Sequence, residues 1–167
     1  LQVMCYDEYQ GKVIKNIQAE ATVTSDRGTI YDSDGLKLAT NYTVYRVFIS
    51  PRDILDSQVE NCTDLVCRGL SDILAPLGVT YDGVLEETKK TNKADRTIKR
   101  NVEEEYANQI LQFISENGLS REIHLEPSSK RYYPYGSLAA QTIGFVGTDG
   151  GLLGLELKYD SYLTGVP

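Results

Sequence analysis

Apolar residues fall on both alternate sets of positions through Tyr42–Ser50, the clearest strand pattern in the chain. Val44 and Phe48 fall on one side, with Tyr45, Val47 and Ile49 on the other, so a strand covered on both faces is expected. At Ser50-Pro51 the period lengthens. Leu55, Val59, Cys62, Val66, Ile73 and Leu77 recur at helical spacing and stop near Pro76 and Gly78. A shorter helix opens at Asp82 and runs to about Thr91. After a polar, basic link to Arg100, the clearest helix is expected behind Asn101, whose capping-box partner is Glu104. Its stripe is Val102, Tyr106, Ile110 and Phe113, and Asn117-Gly118 ends it.

The flanks are more extended. Residues 1–18 carry a weak amphipathic pattern (Val3, Tyr6, Tyr9, Val13, Ile17) fitting a short helix, and Ala19–Thr24 alternate like a strand. Ile30–Leu38 reads as a hairpin turned by Asp32, Ser33, Asp34 and Gly35. After Gly118, Ile123–Leu125 leads into Lys130–Tyr135. Gln141–Val146 reads as a strand, and Leu153–Leu163 as a last short helix with Leu155, Tyr159 and Tyr162 on one side. Extended segments therefore bracket a helical insert, which predicts an α+β fold. The expected division is a strand-rich base from residues 1–50 and 123–167, with a helical head from 51–122.

Charge and composition narrow the chemistry. The 167 residues are 41% hydrophobic and 25% charged, and 17 basic against 24 acidic residues give a net charge of -7. Such a surface repels a phosphate backbone, so nucleic acid is not an expected partner. The densest basic run (Lys89, Lys90, Lys93, Arg96, Lys99, Arg100) meets Glu103–Glu105 and reads as a solvated helix end and loop. No run is long and apolar enough for a membrane span. Three scattered cysteines (Cys5, Cys62, Cys67) and a single His124 match no zinc pattern. Asp32, Asp34 and Gly35 begin like a calcium loop, but Leu36 and Thr43 occupy positions that need oxygen ligands. The glycines at 144, 147, 150, 151 and 154 lack phosphate-loop spacing and read as tight packing around a turn. No cofactor is expected.

What remains are charged residues inside motif-like surroundings. Arg27 and Asp32 flank an apolar strand, and Arg131 and Glu156 sit in similar settings. Buried charges persist only when paired, so these four are expected either to form a buried lock or to be ordinary surface charges. Asn41-Tyr42-Thr43 and Asn61-Cys62-Thr63 both fit the glycosylation acceptor pattern, and both are expected to be coincidental.

Three ordered stretches carry a resemblance. Arg27-Gly28-Thr29-Ile30-Tyr31-Asp32 with Gly35 and Leu38-Ala39 is the first. Arg131, Tyr133-Pro134, Gly136, Ala139 and Gly144 form the second, and Gly151-Leu152-Leu153-Gly154-Leu155-Glu156 the third. Together they resemble the N-terminal, non-catalytic module of class B penicillin-binding proteins. Ser33 replaces a usual Arg, and Gln141 a common His. The resemblance implies an elongated pedestal of strands and hairpins with an inserted helical head. It implies a scaffold that holds a D,D-transpeptidase domain away from the membrane, on the extracytoplasmic face of a bacterial cytoplasmic membrane. The implied partners are that transpeptidase domain, a SEDS-type glycosyltransferase, other cell-wall synthesis proteins and a second copy of the chain. The membrane anchor and the transpeptidase domain are expected to lie outside these 167 residues, since no Ser-x-x-Lys occurs among them. Two other functions stay open: a stand-alone wall hydrolase using carboxylates, and a precursor-binding regulator acting through Tyr132–Tyr135.

Overall fold

The computed structural model describes residues 26–92, 94–136, 140–147 and 150–164. The helix expected in 1–18, the strand in 19–24, and Cys5, Lys93, Ala139 and Asp149 lie outside them. Helices and an antiparallel sheet are mixed, so the fold is α+β. Among the described residues four strands make the sheet: β1 (Ile30–Tyr31), β2 (Lys37–Ile49), β3 (Arg96–Val102) and β4 (Ile123–Tyr132). β2 is the hub, pairing with each of the others. The chain divides into two compact units, one Val44–Ser128 and the other drawn from residues 22–43 and 129–167. The divisions fall inside β2 and β4.

In the first unit, the residues after β2 form α1 (Pro51–Leu55), α2 (Cys62–Leu74), a 3-10 turn (Ala75–Leu77), α3 (Tyr81–Thr88) and α4 (Glu104–Asn117). Ser50 caps α1, its hydroxyl accepting from the Asp53 N–H, with Pro51 in the first turn. α2 buries Cys62, Val66, Cys67, Leu70 and Leu74 along one face. These pack with Val47 and Ile49 of β2, Val102 of β3, and Ala107, Ile110 and Ile114 of α4. Each fully buried Leu or Ile contributes about 1.5–3 kcal/mol relative to exposure. Burial pushes the Cys67 thiol up to about 11, so it behaves as a packed hydrophobe.

Two sequence expectations change here. Residues 96–102 are a strand, not a loop, pairing antiparallel with β2 through Tyr45↔Val102, Val47↔Lys99, Phe48↔Thr97 and Ile49↔Arg96. Asn101 sits in that strand with φ +55° and caps nothing; α4 starts at Glu104 behind Glu103, without a side-chain cap bond. The acidic Glu104 and Glu105 of its first turn suit the helix dipole. The basic run is also not simply solvated. Arg96 bonds Glu87 at 2.5 Å, and Lys99 Nζ donates to the Leu77 carbonyl at 2.6 Å. The outer face of β2 has its own roof, because the Arg46 guanidinium lies 4.7 Å from the Phe48 ring centre and His124 stacks on that ring at 5.1 Å. The His124 ring also donates from Nε2 to the Arg121 carbonyl.

Helices α2 and α4 pack closest at Gly69, where a β-carbon would lie 2.1 Å from Cζ of Phe113. Alanine gains about 1 kcal/mol of helix propensity over glycine, but forcing the ring aside costs about 1–3 kcal/mol. Gly69→Ala is therefore expected to lower the denaturant midpoint, and Phe113→Leu in the same chain to restore part of the loss. A stabilised single variant would contradict this packing.

The second unit begins with the hairpin read from sequence. Ile30 pairs with Ala39 and Tyr31 with Lys37. The Asp32 carboxylate accepts from the N–H groups of Asp34 (2.9 Å) and Leu36 (2.8 Å), and Gly35 has φ +82°. Beyond β4, Gly136 donates back to the Tyr133 carbonyl to close a turn. Three short helices follow: α5 (Ala140–Ile143), α6 (Gly154–Lys158) and α7 (Asp160–Leu163). Between α5 and α6, residues 145–147 pair with 150–152 through the Val146↔Gly151 bridge. So the strand expected over Gln141–Val146 is a helical turn running into a bridge, and the last expected helix breaks at Tyr159.

Candidate functional site

The second unit is organised around a buried carboxylate. Glu156 on α6 has no exposed surface, and its two oxygens are divided between two arginines. Arg27 Nε donates to Oε2 and Arg131 Nε to Oε1, both at 2.8 Å. Arg131 Nη2 also lies 2.8 Å from Oε1 as an ion pair, without forming a directed hydrogen bond. The Tyr133 hydroxyl approaches the same oxygen at 3.4 Å. Both arginine side chains are largely buried, at 12% and 8% exposure.

Remaining donors are absorbed by backbone and neighbouring side chains. Arg27 Nη2 donates to the Glu156 carbonyl at 2.9 Å, while Nη1 meets Asp160 at 2.7 Å and Thr164 Oγ1 at 3.2 Å. Arg131 Nη1 donates to the Gly28 carbonyl at 2.8 Å and to Asn41 Oδ1 at 3.0 Å. Asn41 in turn donates to the Arg27 carbonyl. Two guanidiniums thus face the carboxylates of Glu156 and Asp160, so the cluster is close to neutral. That balance is what permits burial of the charges.

The titration behaviour follows the geometry. Burial pulls the Arg27 guanidinium down, but its bonds to Glu156 and Asp160 outweigh this and the net shift is upward. Burial raises the Tyr133 phenol, and the Glu156 charge raises it further. The Asp160 carboxyl is held below its ordinary 3.8 by the Gly151 N–H, which donates at 2.8 Å, and then by Arg27. A carboxyl lowered on folding adds stability above its unfolded pKa, and that stability disappears as pH falls through the folded value. The melting-temperature gap between the natural chain and Asp160→Asn is therefore expected to be full at pH 7 and to close below pH 3.8. A gap independent of pH would contradict the ion pair.

Glycine lets backbone segments meet around this cluster. A β-carbon on Gly151 would lie 2.1 Å from the Glu156 carbonyl oxygen. Gly144, at φ +79°, would place one 1.9 Å from the carbonyl oxygen of Leu153. Gly154 opens α6 directly opposite, at φ +61°. Gly28 adds a backbone bond of its own, donating to Leu163 at 2.7 Å.

The sequence-derived residues do not all converge. Arg27, Gly28, Arg131, Tyr133 and Glu156 meet; Gly144 and Gly154 brace the same segment. Asp32 is a correction: its carboxylate is occupied by the turn and takes no part in the ion pairs, so it belongs with Gly35. Pro134 and Gly136 sit in the exposed turn after β4. Asn41, Asp160 and Thr164 are participants the sequence reading missed. Asp160 lies four residues after Glu156, a spacing that would share one side of the helix expected over Leu153–Leu163, and this could have flagged it. Among the described residues no group of His, Cys, Asp or Glu is arranged to hold a metal ion. No helix among them is long and apolar enough to cross a membrane.

Three motif segments meeting at one carboxylate agree with what comparison finds. Residues 22–167 match the Penicillin-binding Protein dimerisation domain, and the chain belongs to that family. It is 31% identical to the peptidoglycan D,D-transpeptidase MrdA of Acinetobacter baumannii, aligned over all of this chain and 26% of that protein. It is 32% identical to the stage V sporulation protein D of Bacillus subtilis, over 84% of this chain and 20% of that one. Among solved structures, penicillin binding protein 2X of Streptococcus thermophilus shares the fold at a TM-score of 0.67 and 22% identity, covering 86% of this chain and 23% of that one. The chain spans about a quarter or less of the length of these relatives.

Proposed function

We propose that the chain is the non-catalytic scaffold module of a peptidoglycan D,D-transpeptidase. It positions the catalytic domain away from the membrane, on the extracytoplasmic face, and contacts partners in wall synthesis. The carrying observation is the Glu156 cluster. The most protected polar groups of this unit are spent on tying residues 27, 131 and 156 together, an arrangement suited to stiffness and not to turnover. Both relatives' names support the reading, one as a D,D-transpeptidase and one as a sporulation protein. A polytopic SEDS-type glycosyltransferase and a second copy of the chain are the further partners proposed.

The site offers no accessible nucleophile beside a base, since Glu156 is sealed and both of its oxygens are engaged. Incubation with a fluorescent penicillin and with purified peptidoglycan tests the reading against a wall hydrolase. The expected result is no covalent label and no released fragments from this chain, with labelling of the longer polypeptide that contains it. A labelled chain, or soluble muropeptides from it, would overturn the proposal.

A further inference from the structure

Alternation along β4 sends its side chains to two faces, and the ion-pair cluster uses only one of them. Arg131 points to Glu156, and Tyr133, just beyond the strand, does the same. Lys130 and Tyr132 therefore stand on the opposite face. There Tyr132 meets Tyr42 of β2 edge to face, with ring centres 5.8 Å apart and planes at 87°. Lys130 Nζ lies 5.8 Å from the centre of the Tyr42 ring. Thr40 precedes Tyr42 by two residues on β2, and its hydroxyl lies 3.3 Å from that of Thr29. The face is open, since Tyr132 is 49% exposed and Tyr135, in the turn after β4, is 44% exposed.

The chemistry of these residues selects an occupant. Thr29, Thr40, Tyr42, Lys130 and Tyr132 include no aliphatic anchor of the kind that fills a partner protein's pocket. A sugar ring matches them: its C–H face stacks on an aromatic face, and its hydroxyls bond to hydroxyls and ammonium groups. Tyrosine offers such area cheaply because only two torsions are frozen, and Tyr42 braces Tyr132 in advance. Lys130 sets the charge. Among the described residues it meets a ring and no carboxylate, so a chain of net charge -7 presents a cation here to an acidic ligand. One cation does not offset that charge for a phosphate backbone, which disfavours nucleic acid. Lys130 and Tyr132 are about 7 Å apart along the strand, close to the length of a sugar ring, and Tyr135 follows beyond the strand end.

We infer that the face formed by Tyr42, Lys130 and Tyr132 holds a glycan strand whose sugars carry carboxylates, the polymer of the wall. Tyr132 stacks on a sugar, and Lys130 pairs with a carboxylate beside it. The inference rests on the scaffold reading above and deepens it, because the module that stiffens the protein then also keeps the polymer within reach of the catalytic domain. A weak site joined to a catalytic domain raises the local concentration of the strand without any new contact at the reacting atoms.

Titration of the 167-residue chain with amidase-stripped glycan strands, which keep a lactyl carboxylate on alternate sugars, tests this by NMR of its tyrosine rings. Shifts are expected at Tyr42 and Tyr132. Tyr132→Ala is expected to weaken binding about tenfold. Lys130→Gln is expected to weaken it about threefold, with Lys130→Arg restoring it. Tyr162→Ala, at a ring 83% exposed elsewhere in the unit, is expected to change nothing. A neutral chitin oligosaccharide is expected to bind more weakly and to ignore Lys130→Gln. Absence of binding, or binding indifferent to both Tyr132→Ala and Lys130→Gln, overturns the inference. Poly-glutamate binding as well as the strands reduces the site to charge and also overturns it. A disaccharide-peptide monomer binding as tightly as the strand overturns it in favour of a precursor. If no strand binds while the longer polypeptide labels with fluorescent penicillin, the scaffold reading survives and this inference alone falls.

Discussion

Replacing Glu156 with glutamine is expected to cost about 3–5 kcal/mol, the range for breaking a buried ion pair by removing one partner. The shape of the side chain is kept, so no cavity explains the loss. An amide instead turns donors toward guanidiniums that are already donors; Arg131 loses its carboxylate partner and Arg27 keeps Asp160 alone. For a chain of this length each kcal/mol moves the melting temperature by about 2–4 °C, so a fall on the order of 10 °C is expected in calorimetry. The contrast is a triple replacement, Arg27→Met with Arg131→Met and Glu156→Leu. Burying three apolar side chains in place of the charges is expected to cost less than the single Gln, because the one ion left without its partner, Asp160, is partly exposed and keeps its bond from the Gly151 N–H. A Glu156→Gln chain melting within a degree of the original would mean the carboxylate carries nothing.

Gly144→Ala is the second large effect. A non-glycine residue at φ +79° costs about 1 kcal/mol in backbone conformation. The added carbon would also sit 1.9 Å from a carbonyl oxygen that belongs to backbone and not to a flexible side chain. Relief requires moving Leu153 and hence the start of α6, which drags Glu156 away from both arginines. A loss of at least about 3 kcal/mol is expected, in the upper range for single substitutions. Denaturant unfolding reads it directly. Gly35→Ala is the control: its φ is also positive, but its β-carbon would meet open space, so only the conformational cost of about 1 kcal/mol applies. Equal losses at the two glycines would remove the close approach from the explanation.

The local parts of this fold were legible in the sequence. The β1–β2 hairpin declares itself because Asp32 and Gly35 supply both halves of the turn within four residues. Helix α2 is legible because its burial is a property of its own spacing. Strand β3 was not, because Arg96 and Lys99 find their partners on Glu87 and Leu77, and charged residues with remote partners look solvated. The Asn101–Glu104 pair imitates a cap, yet Asn101 takes its left-handed conformation inside a strand with a register shift. Which side of α6 turns inward is set by equally remote partners. Periodicity favours Leu155, Tyr159 and Tyr162, whereas the structure buries Glu156, because its partners stand far back along the chain at Arg27 and Arg131.

The charged residues in motif-like surroundings included those distant partners, and the expectation failed at Asp32, where local chemistry had a prior claim. Asp32 belongs to the strongest of the three motifs and was expected among the ion pairs. Its carboxylate is consumed by two N–H groups of its own turn. Asn41 shows the opposite case. Its Asn-x-Thr setting says nothing of an ion-pair network, yet its amide joins the Arg27 backbone to the Arg131 guanidinium.

A double-mutant cycle between Arg131 and Glu156, followed by denaturant unfolding of the chain, tests the shared carboxylate most directly. Residues in contact within one ion-pair network couple by about 0.5–3 kcal/mol, and this pair is expected near the top of that range. Each single substitution to alanine should be costly, and the double should cost far less than their sum. Additive losses, with coupling near zero, would contradict a carboxylate held in common by the two arginines.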